Sequence, residues 1–191
     1  MNLPNKAIFL DRDGTINEGP PYINRIDQLD ILPESFEGLR LLGGLGFKLI
    51  IITNQSGIAR QYLSEKTLKT IHKHLLAEFK KRKIKIHDIF FCPHHPDEKC
   101  RCRKPQTLMI KKATLQHKID LKSSYMIGDN ECDIELGQKT GLKTILVLTG
   151  LGKKTRKNKS LKPHYVAKHL LDAAKWIKGT SKKTVSFRED N

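Results

Sequence analysis

Residues 7–15 read AIFLDRDGT. Four apolar residues in a row leave no polar face, which suits a short strand covered on both sides, as in parallel sheets flanked by helices. The chain then turns abruptly polar. Asp11 and Asp13 bracket Arg12, and Gly14 and Thr15 supply turn chemistry. In open α/β sheets, ligands sit beyond the carboxyl ends of the strands. A strand running into two carboxylates therefore predicts both a sheet class and the edge that carries a site. Alone, the same residues would also serve as an aspartate-capped turn.

Working outward, similar apolar runs recur as KLIIIT (48–53), DIFF (88–91), SYMI (124–127) and TILVL (144–148). Helical stretches fall between and after them, at 33–46, 64–83, 107–118, 131–140 and 165–177. The second is the clearest: Leu68, Ile71, Leu75 and Phe79 share one face, and Ser64 stands where an N-cap belongs. Alternating strand and helix predicts a doubly wound, mostly parallel α/β sheet flanked by helices. The gaps between runs are a single helix or a short loop, so no large cap domain fits. Residues 1–178 read as one domain, and 179–191 as a polar, basic, flexible tail.

The residues after each run should converge. They are DRDGT (11–15), TNQSG (53–57), a cysteine-rich stretch ending in RKP (103–105), and GDNECD (128–133). Clustered carboxylates repel unless a hard cation neutralises them, and oxygen ligands suit Mg²⁺. A carboxylate can act as a nucleophile, and a second one two residues on can protonate a leaving oxygen and then activate water. A lysine, a threonine hydroxyl and backbone N–H groups can hold phosphoryl oxygens.

FLDRDGTIN, TNQSGIARQY, CPHHPDEKCRCRKP and YMIGDNECDIELG together resemble the haloacid dehalogenase (HAD) superfamily of phosphatases. Within it they resemble the branch of heptose 1,7-bisphosphate and histidinol-phosphate phosphatases. The likeness spans about residues 6–150 and continues more weakly to 178. It implies Mg²⁺-dependent hydrolysis of a small phosphomonoester through an aspartyl-phosphate. On this chain Asp11 would be the nucleophile, Asp13 the general acid/base, and Thr53 and Lys104 the phosphoryl stabilisers. Mg²⁺ would be held by Asp11, the carbonyl of Asp13, and Asp129. Substrate contacts would come from Arg12, Gly19, Pro20, Pro21, Tyr22, Asn54, Gln55, Ser56, Arg103 and Asn130. Asp133 would orient Lys104, or alternatively cap a helix. TNQSGIARQY is closer to the heptose branch. Pro20-Pro21 and the short zinc-loop spacing are closer to the histidinol-phosphate branch. The heptose bisphosphate stands first as substrate and histidinol phosphate second.

Three of the four cysteines lie within residues 92–102. Cys92, His94, Cys100 and Cys102 form C-x-H-x5-C-x-C, four soft or borderline donors that suit a closed tetrahedral Zn²⁺ site. Such a site is structural, and it would present Arg103 and Lys104 to a phosphate. The same loop could also remain reduced without metal, and His95 competes with His94. Cys132 and the other six histidines, His72 among them, read as a small helical residue and as surface residues.

The formal net charge is +16, and residues 153–191 hold twelve basic against three acidic residues. An excess of this kind attracts phosphorylated partners. A nucleic-acid 3′-phosphatase or a non-enzymatic nucleic-acid-binding module ranks lower, because aromatics are not interleaved with the charge. No segment reaches the roughly 18 apolar residues of a membrane span, and no signal-peptide layout opens the chain. The expected partner is a small phosphorylated sugar rather than a membrane or nucleic acid, and the expected state is a cytoplasmic monomer.

Overall fold

A computed structural model describes residues 4–186, with side chains through residue 180. Its main sheet contains β1 (Ala7–Leu10), β4 (Lys48–Asn54), β5 (Asp88–Cys92), β6 (Tyr125–Gly128), β7 (Lys143–Val147) and β8 (Tyr165–Ala167). All pairings are parallel, in the order β5-β4-β1-β6-β7-β8. A two-stranded antiparallel pair, β2 (Asn17–Glu18) and β3 (Asp30–Ile31), stands apart. The helices are α1 (Pro33–Gly44), α2 (Glu65–Lys81), α3 (Leu108–His117), α4 (Glu131–Thr140), the short α5 (Gly152–Thr155) and α6 (Leu170–Ser186).

The unbroken apolar runs of β1, β4, β6 and β7 have the expected cause, because these strands are buried on both faces, whereas the edge strands β5 and β8 are mostly half-buried. Ile8 and Leu10 of β1 join Leu49 and Ile51 of β4 against Leu39 and Leu42 of α1 and Leu170, Ala173 and Ile177 of α6. Ala7 and Phe9 point the other way, with Ile50 and Ile52, against Met109, Ile110 and Ala113 of α3. Burying each large side chain contributes about 1.5–3 kcal/mol before conformational entropy is counted. On α2, Leu68, Ile71, Leu75 and Phe79 are buried, and Ser64 Oγ accepts from Thr67 N–H at 3.0 Å.

Two boundaries differ from the sequence reading. Residues 165–177 are a strand followed by a helix rather than one helix. β8 is a three-residue edge strand whose apolar residues merge with those of α6. The break falls at Lys168 and His169, where Asp172 Oδ2 accepts from Lys168 N–H at 2.8 Å and His169 Nδ1 accepts from Asp172 N–H at 3.3 Å. The second boundary is the expected end of the ordered domain at residue 178. α6 continues to Ser186, so the first part of the expected tail is helical. Residues 187–191 of that tail lie outside the described residues.

Candidate active site

The site forms where β1, β4 and β6 end side by side. Asp11 N–H donates to Ile127 O at 3.0 Å, which carries the sheet one step further and pins Asp11 at its centre. Asp11 Oδ1 accepts from Arg12 N–H at 2.6 Å and meets Lys104 Nζ at 2.8 Å. Lys104 is only 3 % exposed, and its Nζ also lies 2.7 Å from Asp133 Oδ1. Burial favours the neutral amine, but the two carboxylates outweigh it and hold the ammonium well above its usual range. Asp133 reaches in two directions. Its other oxygen accepts from Asn130 N–H at 3.1 Å and closes the first turn of α4.

Asp129 follows β6, and its Oδ2 accepts from Leu151 N–H at 2.7 Å. Asp11, Asp129 and Asp133 each place an oxygen within 4.8 Å of the others. Burial, reinforced by Asp133 and opposed by Lys104, pushes Asp11 up to about 7. Burial and then Asp11 push Asp129 up to about 7 as well. Lys104 engages Asp11 and Asp133 but touches no oxygen of Asp129. The pair Asp11–Asp129 therefore fits a hard divalent cation, which would let both ionise. The loop leaves little room beside them. Gly14 sits at φ +81°, and a Cβ there would lie 2.3 Å from Asp129 Oδ2.

Asp13 is differently held. Its Oδ1 accepts from Arg12 Nε at 3.0 Å and from Asn17 Nδ2 at 3.1 Å. Its Oδ2 accepts from Arg12 Nη2 and from Gln55 Nε2, both at 2.8 Å. Burial would raise its pKa, but Arg12 and the bonds from Asn17 and Gln55 prevail and hold it below the usual carboxylate range. Gln55 Nε2 also donates to Thr53 Oγ1 at 2.8 Å. Asn54 fixes the opposite loop, accepting from Lys104 N–H at 3.0 Å and donating to Lys104 O at 3.3 Å.

A cavity of about 660 Å³ opens over these groups. Gly19, Pro20, Pro21 and Tyr22 form part of its rim, and Arg103, Asn54, Gln55 and Asn130 line it as well. Two expected substrate contacts do not reach it. Ser56 is 6 % exposed and lies outside the lining. Arg12 is fully buried, so the expectation that it meets substrate is corrected. Side chains alternate along an extended segment, so the residue between two inward carboxylates turns away. Its guanidinium holds Asp13 from behind, and its Nη1 lies 3.0 Å from His72 Nε2. His72 is likewise only 6 % exposed, against its reading as a surface residue. Its position four after Leu68 and one after Ile71, on the apolar face of α2, is the signal that marks it. Of the other five histidines, His164 is exposed and His74, His87, His117 and His169 are half-buried.

At the end of β5, one donor atom each from Cys92, His94, Cys100 and Cys102 lies within 4.8 Å of the rest. Cys102 Sγ is 2.9 Å from Cys92 Sγ and 3.1 Å from His94 Nδ1. His95 points elsewhere, accepting from Asp97 N–H at 3.4 Å. Burial raises the Cys92 and Cys102 thiols. At Cys100 the Arg103 N–H and the Cys92 thiol overcome burial and lower the pKa to about 7. Cys132 sits on α4 beside the carboxylates, apart from this cluster.

The arrangement invites comparison with known proteins. The HAD-hydrolase-like family model matches residues 101–173. The D-glycero-alpha-D-manno-heptose-1,7-bisphosphate 7-phosphatase of Photorhabdus laumondii is 40 % identical over 153 residues, covering 76 % of this chain and 84 % of its own. The D-glycero-beta-D-manno-heptose-1,7-bisphosphate 7-phosphatase of Pasteurella multocida is 38 % identical over 181 residues, covering 91 % and 97 %. The chain belongs to the heptose-bisphosphate phosphatase family of HAD-like hydrolases.

As a family member it also shares its backbone with a solved relative. The D,D-heptose 1,7-bisphosphate phosphatase from B. bronchiseptica, complexed with magnesium and phosphate, superposes with a TM-score of 0.86 at 30 % identity. That match covers 92 % of this chain and 99 % of the other. The chain is thus a HAD-like phosphatase, a phosphoric monoester hydrolase. No helix among the described residues is long and apolar enough to cross a membrane.

Proposed function

We propose that this phosphatase removes the 7-phosphate of D-glycero-D-manno-heptose 1,7-bisphosphate through an aspartyl-phosphate on Asp11. The observation that carries the chemistry is the pinned Asp11 carboxylate, 2.8 Å from the buried Lys104 ammonium and beside Asp129 on the floor of an open cavity. The substrate follows the printed activity of relatives that align over most of the chain.

In the first step an Asp11 oxygen attacks phosphorus, the ester P–O bond breaks, and the leaving oxygen takes a proton from Asp13. Lys104 and Thr53 hold the phosphoryl oxygens as charge redistributes. In the second step Asp13 takes a proton from water, whose oxygen attacks the phosphoryl group, and Asp11 leaves as carboxylate with free phosphate. At rest Asp13 is held ionised by Arg12, Asn17 and Gln55. It must therefore gain its proton as the substrate's negative charge arrives beside it, which raises its pKa.

Asp11, the Asp13 carbonyl and Asp129 would hold Mg²⁺, in keeping with the magnesium of the B. bronchiseptica relative. When bound, that ion neutralises the carboxylates and the phosphate. Cys92, His94, Cys100 and Cys102 would hold Zn²⁺, which closes the loop without an open coordination position. With no cap domain, substrate enters from solvent past the 19–22 rim, and a monomer suffices for the chemistry.

The test is phosphate release with Mg²⁺ from heptose 1,7-bisphosphate, fructose 1,6-bisphosphate, histidinol phosphate and a 3′-phosphorylated oligonucleotide. The heptose bisphosphate is expected to give kcat/KM at least about tenfold above the others, the discrimination of roughly 1.4 kcal/mol. Faster turnover of histidinol phosphate or of the oligonucleotide would overturn the substrate assignment.

A further inference from the structure

We propose that His72, far along α2 and outside the cavity, is a positioning residue for the reaction: it fixes the guanidinium that aims Asp13. The inference rests on the reading of Asp13 as acid and base.

The geometry is a chain of three side chains. Arg12 grips both oxygens of Asp13 with Nε and Nη2, at 3.0 and 2.8 Å. The remaining arm, Nη1, meets His72 Nε2 at 3.0 Å. A guanidinium only donates, so His72 must accept at Nε2 and carry its proton on Nδ1. Burial, and then the charge of Arg12, lower His72 to about 3, so the ring stays neutral and the acceptor is permanent. The ring is itself wedged. It sits edge-on to Phe91, 6.0 Å between centroids, beside the apolar cluster of Ile23, Leu63, Leu68 and Ile71.

A neutral acceptor at this place has a specific effect. A carboxylate there would compete with Asp13 for the guanidinium. An apolar residue would leave Nη1 buried without a partner, and the guanidinium would move to find one. His72 does neither. It leaves Asp13 as the carboxylate paired with Arg12 and removes the freedom of Arg12 to follow when Asp13 turns. Asp13 has to give up at least one of its four hydrogen bonds to take or deliver a proton. A fixed Arg12 lets it do so by pivoting, and a displacement of about 1 Å at this point can cost orders of magnitude in rate.

The test compares His72→Leu, His72→Gln and Asp13→Asn in Mg²⁺, using a sugar phosphate and p-nitrophenyl phosphate. The phenolate departs without needing a proton, so its first-turnover release reports Asp11 and Lys104 rather than Asp13. For His72→Leu we expect kcat on the sugar phosphate to fall about tenfold with KM within about twofold. First-turnover p-nitrophenol release should change by less than about twofold, and Gln, whose Oε1 can accept from Arg12, should restore most of the rate. A folded His72→Leu enzyme with unchanged kcat overturns the proposal. So does one in which the first-turnover release falls as far as the sugar-phosphate rate, because that marks general disorder. If His72→Leu does not fold, His72→Gln against the shorter His72→Asn decides, and equal activity of the two overturns it. Asp13→Asn separates the layers. If it spares sugar-phosphate turnover, the acid/base reading itself falls. If it abolishes turnover while His72→Leu leaves kcat unchanged, only His72 is wrongly assigned.

Discussion

At the scale of single residues, the site is a set of carboxylates kept apart by what each one touches. Asp13 is tied to Arg12, Asn17 and Gln55 and sits low in pKa, whereas Asp11 and Asp129 are each raised to about 7 by burial and then by a neighbouring carboxylate, Asp133 for Asp11 and Asp11 for Asp129. The sign of the consequence follows from linkage. A carboxyl group whose pKa is higher in the folded than in the unfolded state stabilises the fold fully only below its unfolded value, near 3.8, and that contribution is lost as pH rises through about 7. Because buried His72, lowered to about 3, acts in the opposite direction over the same range, the clean readout is the difference made by the metal: the gain in melting temperature on adding Mg²⁺ should grow between about pH 4 and 7. Thermal scans across this range check it, and a melting temperature insensitive to Mg²⁺ at pH 7 would refute it. The carboxylates, Lys104 and the cysteine loop were legible in the sequence because each follows an apolar run. The Arg12–His72 contact was not, because it joins a strand end to a helix face 60 residues away. Only the period of α2, which places residue 72 inward, hints at it.

At the scale of elements, the 92–104 segment lacks regular structure over most of its length yet has to deliver Lys104 into the sheet. Four donor side chains gather at one end, and Asn54 holds the Lys104 backbone at the other. Cys100→Ser should lower bound zinc and melting temperature first, and activity as a consequence, as Arg103 and Lys104 lose their support. Metal analysis beside thermal scans tests this, and unchanged zinc content would remove Cys100 from the ligand set. The strands were legible as apolar runs to within a residue or two at each end. β8 was hidden because a three-residue edge strand next to an apolar helix has no period of its own. The β2–β3 pair was hidden too, since two residues per strand carry no pattern at all.

At the scale of the whole molecule, the sheet order places the oldest part of the chain at the centre and the basic surplus at the end. Among the described side chains of α6, those that join the core lie at or before Ile177. Deleting residues 181–191 is expected to leave phosphate release within about twofold of the full chain and to shift the melting temperature by no more than a few degrees. Activity assays and thermal scans of the shortened chain decide it, and loss of activity would assign the basic end a part in catalysis. The doubly wound class followed from the alternation of runs and helices. The spatial order of the strands did not, because it depends on which segments pair, and one pairing, β1 with β6, joins residues more than a hundred positions apart.

Those pairings set a timetable for synthesis. β1 is the first strand to leave the ribosome, yet both of its neighbours are made later: Phe9 pairs with Ile50 on one side and with Met126 on the other. At typical elongation rates the interval between Asp11 and Asp129 is on the order of ten seconds. For most of that interval the nascent chain carries Asp11 without Lys104, and for all of it without Asp129. Hydrolytic competence should therefore arrive late and all at once, as β6 slides into the last open edge of β1.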